Sequence, residues 1–196
     1  MARVAGNLTK VQQPGQRAPA PDSLRLVQEL VNTLDVETGH DRLTIPGGLE
    51  DFRTLLADRG LPGIALDAGD LPELCALREA LRAACLAHSG TDVPAATLAA
   101  LDRLLTAAPL VLALDAAGGA ALRPAPGLTG LPALTAAIAA GIIAAGRDWN
   151  RLKACVAEDC QWAYYDRSPA GRSRWCSMAV CGSRAKMRTY RGRGGA

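Results

Sequence analysis

Residues 155–181 read CVAEDCQWAYYDRSPAGRSRWCSMAVC and contain four of the six cysteines of this 196-residue chain. They form two pairs with the same four-residue spacer, Cys155 with Cys160 and Cys176 with Cys181. Two such pairs can grip one metal ion from opposite sides, and structural zinc takes four tetrahedral ligands, of which thiolate is a preferred kind. The segment therefore predicts one structural Zn²⁺ bound by all four thiolates.

The alternative for these four residues is a set of disulfides or unpaired core cysteines. The segment has few Leu, Ile or Val residues with which to build a core, and units below about 40 residues usually need a metal or disulfides. Met1 to Pro21 is polar and lacks the apolar stretch of a secretory signal. We therefore expect a cytoplasmic protein, in whose reducing surroundings paired cysteines favour metal over disulfide.

Enzymatic activity is not expected from this sequence. Four protein ligands leave no open position on the zinc for a catalytic water. The chain also has neither a Gly-rich phosphate loop nor a nucleophile elbow. The prediction is a protein that binds rather than catalyses.

The net charge of +3 hides two unlike regions. Residues 1–146 carry eleven Lys and Arg against fifteen Asp and Glu, a net −4, whereas residues 147–196 carry eleven against four, a net +7. Six of the seven aromatic residues also lie in 147–196. A short basic region beside an acidic one predicts a polyanionic partner for the basic region.

The apolar pattern before the cysteine segment is mostly helical. Apolar residues recur at three- and four-residue steps, and alternation over 109–115 followed by a Gly-Gly turn predicts one small β-hairpin. The predicted helices span about 24–34, 49–58, 70–90, 94–107 and 131–147. The interpretation is a mainly α protein with a flexible segment over 1–21, a helical domain over 22–149, a small treble-clef-like zinc finger over 150–191 and a flexible C-terminus over 192–196.

One segment raises the question of a membrane. Residues 127–146 contain no charge and are about as long as a bilayer span. They are rich in Ala and Gly, however, and Pro132 lies near their start. A buried helix of a soluble domain is the favoured interpretation, and no membrane partner is expected.

The finger segment carries its own strand and helix signals. Trp162 and Tyr164 share one face of a predicted strand, and turn residues over 168–171 predict a β-hairpin between the two cysteine pairs. Good helix formers follow Cys181, and three arginines at i, i+4 and i+7 would share one helical face. The candidate nucleic-acid contacts are the basic residues around the second pair: Arg172, Arg174, Arg184, Lys186, Arg188 and Arg191.

The sequence over 175–188, WCSMAVCGSRAKMR, resembles the CGNR-type zinc finger. The body resembles the ABATE domain, a stress-induced transcription-regulator domain, at Leu30-Val31-Asn32-Thr33, and the junction RLKAC over 151–155 fits the same arrangement. The resemblance covers about residues 22–191. It implies a bacterial, DNA-binding transcription regulator associated with the nucleoid, with duplex DNA as partner and the helical domain as a sensor, dimerisation or partner module.

Two positions depart from the family pattern. Ser183 stands where the family's name motif has Asn, and Ser168-Pro169-Ala170 stands where a preceding loop usually reads Ser-Arg-Asn. All four metal ligands remain. The departures therefore bear on a loop cap or a nucleic-acid contact rather than on zinc.

Other functions remain open at this point. The finger can be a zinc-stabilised protein-interaction module, with its Trp and Tyr residues as anchors for a partner protein or a second copy. It can be an RNA-binding unit, since aromatic side chains stack on unpaired bases. The basic helix can also be a solvated face that only keeps the finger soluble.

Overall fold

The computed structural model of this chain describes residues 17–193. The predicted flexible segment over 1–21 therefore lies mostly outside the described residues, as do 194–196 at the predicted flexible C-terminus. The mainly α fold class is confirmed. The α-helices of the described part are α1 (Asp22–Val31), α2 (Gly48–Asp58), α3 (Leu71–Ala87), α4 (Ala95–Thr106), α5 (Gly130–Ala145) and α6 (Ser183–Arg193).

The strands form three separate antiparallel pairs in the described residues. The predicted body hairpin is present as β3 (Leu110–Leu114) and β4 (Ala120–Pro124), and a shorter pair joins β1 (Leu34–Asp35) to β2 (His40–Asp41). In the finger, β5 (Leu152–Ala154) pairs with β6 (Ala163–Tyr165). Each pair connects neighbouring segments of the chain, so the strands form short hairpins between helices and no continuous sheet in the described residues.

The prediction of a hairpin between the two cysteine pairs is wrong. Strand β6 pairs backwards with β5, which precedes Cys155, so the first cysteine pair lies within the turn of the hairpin. The segment after β6 has no strand partner; it is held by side-chain bonds of Lys153 and Asp166 and by one backbone bond from Val156 to Arg174. Those bonds use the groups that a second strand ladder would need.

Two apolar clusters divide the fold unequally. The large cluster lies among α1, α2, α3 and α5 and includes Leu30, Phe52, Leu77 and Leu134, which are all fully buried. The small cluster surrounds the four cysteines. Side chains alternate across a strand, so β6 contributes to both clusters, with Tyr165 in the large one and Tyr164 in the small one, whereas Leu152 and Ala154 of β5 lie in the large one.

Helix α5 lies in the body although it is the uncharged segment that raised the membrane question. With the following 3₁₀ turn it is long and apolar enough to cross a bilayer by length and composition. Leu134 and Ile138 are buried in the core, and a Cβ on Gly141 would lie 2.4 Å from the Ser23 carbonyl oxygen, so a glycine is needed for α1 and α5 to cross. Ile143, on the outer side of α5, is 52% exposed.

Candidate zinc centre and basic helix

The four sulfur atoms of the two cysteine pairs converge on one point. All four Sγ atoms lie within 4.8 Å of one another, with 3.6 Å between Cys160 and Cys176 and 3.7 Å between Cys176 and Cys181. A tetrahedral zinc with Zn–S bonds of about 2.3 Å places its sulfurs about 3.8 Å apart. The donor set and its geometry therefore fit the predicted single Zn²⁺, and the four cysteines of this finger form a site for one zinc ion.

Electrostatics explain why this cluster needs a cation. Hydrogen bonds from Cys160 and Cys176 lower the pKa of Cys155, whereas the same bonds raise the pKa values of Cys160 and Cys176. Burial raises the pKa of Cys181. Zinc binds thiolates, so a divalent cation is what allows closely spaced thiols of this kind to lose their protons together.

The backbone around each pair explains how the sulfurs are placed. The first pair is closed by a turn in which the Cys160 N–H donates to the Ala157 carbonyl, and Gln161 then adopts a left-handed φ of 48° to reverse the chain into β6. The second pair ends in a π-helical turn over Met178–Gly182 that leads directly into α6. The zinc site therefore fixes the start of the basic helix.

Ser183, which stands where the family motif has Asn, makes a local hydrogen bond to the turn before it. Its hydroxyl donates to the Met178 carbonyl at 3.1 Å, and the Ser177 hydroxyl accepts from the Val180 N–H at 3.3 Å. Both bonds satisfy backbone groups of the π-helical turn. At the position where the family motif has Asn, this chain therefore has a side-chain bond to the turn.

The finger is bonded to the body through buried polar side chains that the sequence analysis did not identify. The Asn32 amide pairs with β6 in both directions, accepting from the Ala163 N–H at 2.7 Å and donating to its carbonyl at 2.9 Å. Arg82, which is 2% exposed, donates to the Gln161 carbonyl at 2.8 Å and to the Val31 carbonyl at 2.8 Å. We call Asn32, Arg82 and their backbone partners the seam.

His88 extends this contact at the other end of the hairpin. Its Nδ1 lies 2.7 Å from the Leu152 carbonyl, and its ring stacks edge-on against Trp149 with 4.8 Å between centroids. Burial lowers the pKa of His88, and the positive charge of Lys153 lowers it further, against the opposing effect of the Leu152 bond. The neutral ring is therefore the form that suits this half-buried place.

Part of the segment predicted to be flexible is packed on the finger. Ala20 is buried, and Arg17 donates from Nε to the Cys176 carbonyl at 2.6 Å and from Nη2 to the Trp175 carbonyl at 3.2 Å. The Arg17 guanidinium also lies 4.5 Å from the centre of the Tyr164 ring. These contacts place the end of the predicted flexible segment against the finger, and at the other end α6 continues to Arg193.

A buried ion pair organises the loop between the finger hairpin and the second cysteine pair. Lys153 Nζ lies 3.2 Å from Asp166 Oδ2 and also donates to the Gly171 carbonyl at 2.6 Å. Burial raises the pKa of Asp166, but hydrogen bonds from Ser168, Ser173 and Lys153 together outweigh it and hold this pKa well below its usual range. Every oxygen of the carboxylate is thus committed to the loop, which is why the pair is tolerated in the interior.

The six predicted nucleic-acid contacts are all exposed, but they do not form one patch. Arg184, Arg188 and Arg191 line a single groove along α6, as their spacing predicted. Lys186 lines a different surface of the helix, beside Trp175. Arg172 and Arg174 lie in the loop before the second cysteine pair.

Arg184 already has an acidic partner in the body. Its Nη1 lies 2.8 Å from Glu37 Oε1, and Asp159 lies 3.9 Å away on the finger itself. The hydrogen bond and charge of Glu37 raise the pKa of Arg184. One of the three groove arginines is therefore paired across the two regions.

Comparison with known families agrees with this geometry. Residues 24–147 match ABATE, described as "Putative stress-induced transcription regulator", and residues 151–194 match the CGNR zinc finger. No curated protein matches the chain. The two matches occur in the order that the sequence resemblance predicted, which confirms it. Because the ABATE match alone covers more than half of the chain, this protein belongs to the ABATE family and carries a CGNR zinc finger after its helical domain.

Proposed function

We propose that this protein is a DNA-binding transcription regulator in which α6 contacts duplex DNA and the helical body is a sensor or partner domain. In this proposal it acts in the bacterial cytoplasm, at the nucleoid, and has no catalytic role. The description of the ABATE family supports the regulatory part. The part that concerns DNA rests on the finger surface.

The observation that carries the proposal is the groove shared by Arg184, Arg188 and Arg191. Guanidinium groups bind phosphate oxygens, and one of them can also pair with a guanine edge in the major groove. The zinc site fixes the helix that bears them through the π-helical turn. A helix with three arginines on one face can fit into the major groove and contact phosphates on its edges.

The test compares two charge-equivalent variants on opposite sides of α6. Arg188→Gln removes one positive charge from the groove, and Lys186→Gln removes one from the face beside Trp175. Each variant, zinc-loaded and full length, is titrated with duplex DNA by fluorescence anisotropy across a series of salt concentrations. We expect Arg188→Gln to weaken binding more and to reduce the slope of log K against log salt by about one.

Two results would oppose this proposal. Absence of wild-type binding even at low salt would reject duplex DNA as the partner, because phosphate contacts strengthen there. Equal losses in the two variants would reject the groove as the contact surface and leave only general electrostatic attraction. Unchanged zinc content in both variants shows that neither result arises from a damaged finger.

A protein-interaction module is a second candidate, and one observation favours it. Met187 and Val180 line the same groove as the arginines and are 52% and 47% exposed, and Tyr190 is 77% exposed. Exposed apolar residues at the centre of a polar rim are typical of protein interfaces. Met187→Gln would then abolish partner binding with little dependence on salt, whereas Arg188→Gln would matter less.

The RNA alternative loses part of its support. It relied on aromatic side chains available for stacking, but Tyr164 is fully buried against the cysteines, and Trp162 and Trp175 pack on the same cluster. Tyr190 is the aromatic residue of α6 that stays exposed. Competition between single-stranded RNA and duplex DNA for the same protein separates the two nucleic acids.

A further inference from the structure

Residues 17–20 lie shortly before α1 and belong to neither family match, yet they contact the finger. We call them the strap. The Pro19 carbonyl accepts a hydrogen bond from Arg167 Nη2 at 2.9 Å, and Ala20 is 2% exposed, with its N–H bonded to the Gln28 side chain at 2.8 Å. The strap is therefore bonded to the finger through Arg167 and to the body through Gln28.

The first residue of the strap, Arg17, contacts two members of the cysteine cluster. Its bonds to the Trp175 and Cys176 carbonyls lie at the start of the second cysteine pair. Its guanidinium also lies 4.5 Å from the centre of the Tyr164 ring, and Tyr164 and Cys176 are 0% and 2% exposed. One side chain thus fixes the backbone of a zinc ligand and packs on a ring of the same cluster.

The charge of Arg17 also favours metal binding at this place. One Zn²⁺ with four thiolates carries two positive and four negative charges, a net −2. A guanidinium stays protonated in proteins, so it attracts such a cluster at every pH at which the protein is folded. Residues that bond to metal ligands from outside also orient them, and their loss typically lowers metal affinity about 10–100-fold.

We propose that Arg17 is a positioning residue of the zinc site, which holds the second cysteine pair in its metal-binding conformation and slows the release of zinc. It acts through the Cys176 backbone and through its charge, and not as a ligand. The role concerns the metal site alone. It is therefore tested without nucleic acid, and its success or failure is independent of the α6 groove.

Arg167 offers a matched control, because it makes the same kinds of contact on the other side of β6. Its guanidinium lies 5.1 Å from the centre of the Tyr165 ring, and it bonds to the strap at Pro19. Tyr165 belongs to the large cluster of the body and not to the cysteine cluster. Arg167→Gln therefore removes one positive charge and one strap bond without removing a bond to a zinc ligand.

The experiment compares Arg17→Gln, Arg17→Lys and Arg167→Gln with the wild type, each as full-length, zinc-loaded protein. A chromogenic chelator in excess gives the rate of zinc release, and competition with a chelator of known affinity gives the dissociation constant. We expect Arg17→Gln to weaken zinc binding by about tenfold. Arg17→Lys should recover part of this loss, because an ammonium keeps the charge but lacks the fork that reaches both carbonyls. Arg167→Gln should change zinc binding by less than about twofold.

Two further measurements separate positioning of the ligands from general support of the fold. Replacement of zinc by Co²⁺ gives absorption bands that report tetrahedral coordination by thiolates, and we expect these bands in every variant. The urea midpoint of the helical circular dichroism reports mainly the body, and it should be unchanged in Arg17→Gln.

The outcomes against the proposal are equally defined. Zinc release from Arg17→Gln at the wild-type rate, equal acceleration in Arg17→Gln and Arg167→Gln, or no recovery in Arg17→Lys would each overturn it. A lower urea midpoint in Arg17→Gln would overturn it as well, because the strap would then stabilise the whole fold. Loss of the cobalt bands in Arg17→Gln would also do so, because the finger would then fail to fold without Arg17 instead of holding its metal more weakly.

Discussion

The helical body and the zinc finger have different kinds of core. The body encloses a large apolar cluster, with Leu24, Phe52 and Leu74 fully buried, and needs no metal among those residues. The finger has a small cluster in which three of the five buried residues are cysteines. A unit with so little apolar area relies on its metal, whereas the body relies on packing. Where the two regions meet, buried polar side chains join them alongside the apolar residues of β5 and β6 that belong to the large cluster.

Loss of zinc is the largest expected effect and should act on the finger first. Cys176→Ser removes one ligand, and structural zinc contributes on the order of 10–16 kcal/mol to units of this size. We expect the variant to release its zinc and lose the native fluorescence of Trp162 and Trp175 while most helical circular dichroism remains. Zinc release is measured with a chromogenic chelator.

The matched control is Cys75→Ser, which makes the same change in α3, away from the metal site. It should retain one zinc per chain. A Cys176→Ser protein that still holds one zinc and resists protease like the wild type would contradict the assignment of this ligand.

A cavity in the body core tests the other half of the comparison. Leu134 is fully buried, so Leu134→Ala should lower the free energy of unfolding by about 3–5 kcal/mol, the range for fully enclosed leucines. Zinc content of the folded variant should not change, because the metal cluster contains no α5 residue. Urea unfolding followed by circular dichroism gives the first quantity and metal analysis the second.

Leu98→Ala is the control, since Leu98 lies on α4 and is 52% exposed. It should change the unfolding free energy by less than about 1 kcal/mol. Loss of zinc in folded Leu134→Ala would show that the body core and the metal site are not separate in the way the two clusters indicate.

The seam should show an intermediate effect on both regions at once. Asn32→Ala leaves the N–H of Ala163 without its buried partner and its carbonyl with only the Gln28 amide at 3.3 Å, which costs about 1–3 kcal/mol. Zinc affinity should fall together with stability, because β6 positions the segment that follows the first cysteine pair. Asn150→Ala, at an exposed position, should change neither. Reduced stability with unchanged zinc affinity would mean that the seam stabilises the body only.

The sequence predicted the zinc ligands and the basic helix because their signals are local. Both cysteine pairs lie within residues 155–181, and the three groove arginines recur at helical spacing within one element. Short-range patterns of this kind depend on the geometry of a turn or a helix and hardly on the rest of the fold.

The seam was not predictable from one sequence for the opposite reason. Asn32 and Ala163 are separated by 131 positions, and Arg82 occupies a helix position that resembles an ordinary solvent-facing one. Nothing in the sequence pairs a polar side chain with the backbone of a distant strand. The wrong hairpin prediction has a related cause. Strand β5 has only three residues, too few for a visible alternation, and its partner depends on how the first cysteine pair turns the chain.

A pH dependence at the contact between His88 and the Leu152 carbonyl is expected to be small and can be measured separately. Burial lowers the pKa of His88 below its unfolded value of about 6.5. Its contribution to stability is therefore complete above that value and is lost as the pH falls through the folded pKa. His88→Asn keeps a donor near the Leu152 carbonyl and removes the titration, so the variant should lose less stability between neutral and mildly acid pH.

Zinc binding also weakens as the pH falls, because its ligands must be deprotonated, but the metal site is the same in both proteins, so the difference between wild type and variant reports His88. His40→Asn, at an exposed position, is the control. Identical pH profiles for wild type and His88→Asn would show that the ring is not held neutral at this site.

The smallest expected effect concerns the ion pair that joins the body to the groove. Glu37 and Arg184 are about half exposed and 2.8 Å apart, so a DNA phosphate would compete with Glu37 for the same guanidinium. Glu37→Gln should therefore raise DNA affinity by less than about fivefold at low salt, with the gain disappearing as salt screens both interactions. Glu50→Gln removes the same charge from a pair within α2 and tests the effect of net charge alone. Equal gains would mean that Glu37 acts only through net charge, and a loss in Glu37→Gln would mean that it orients Arg184 for binding. A gain specific to Glu37→Gln would show that Glu37 of the body competes with DNA for Arg184, so that the body limits DNA binding by the finger as well as supporting its fold.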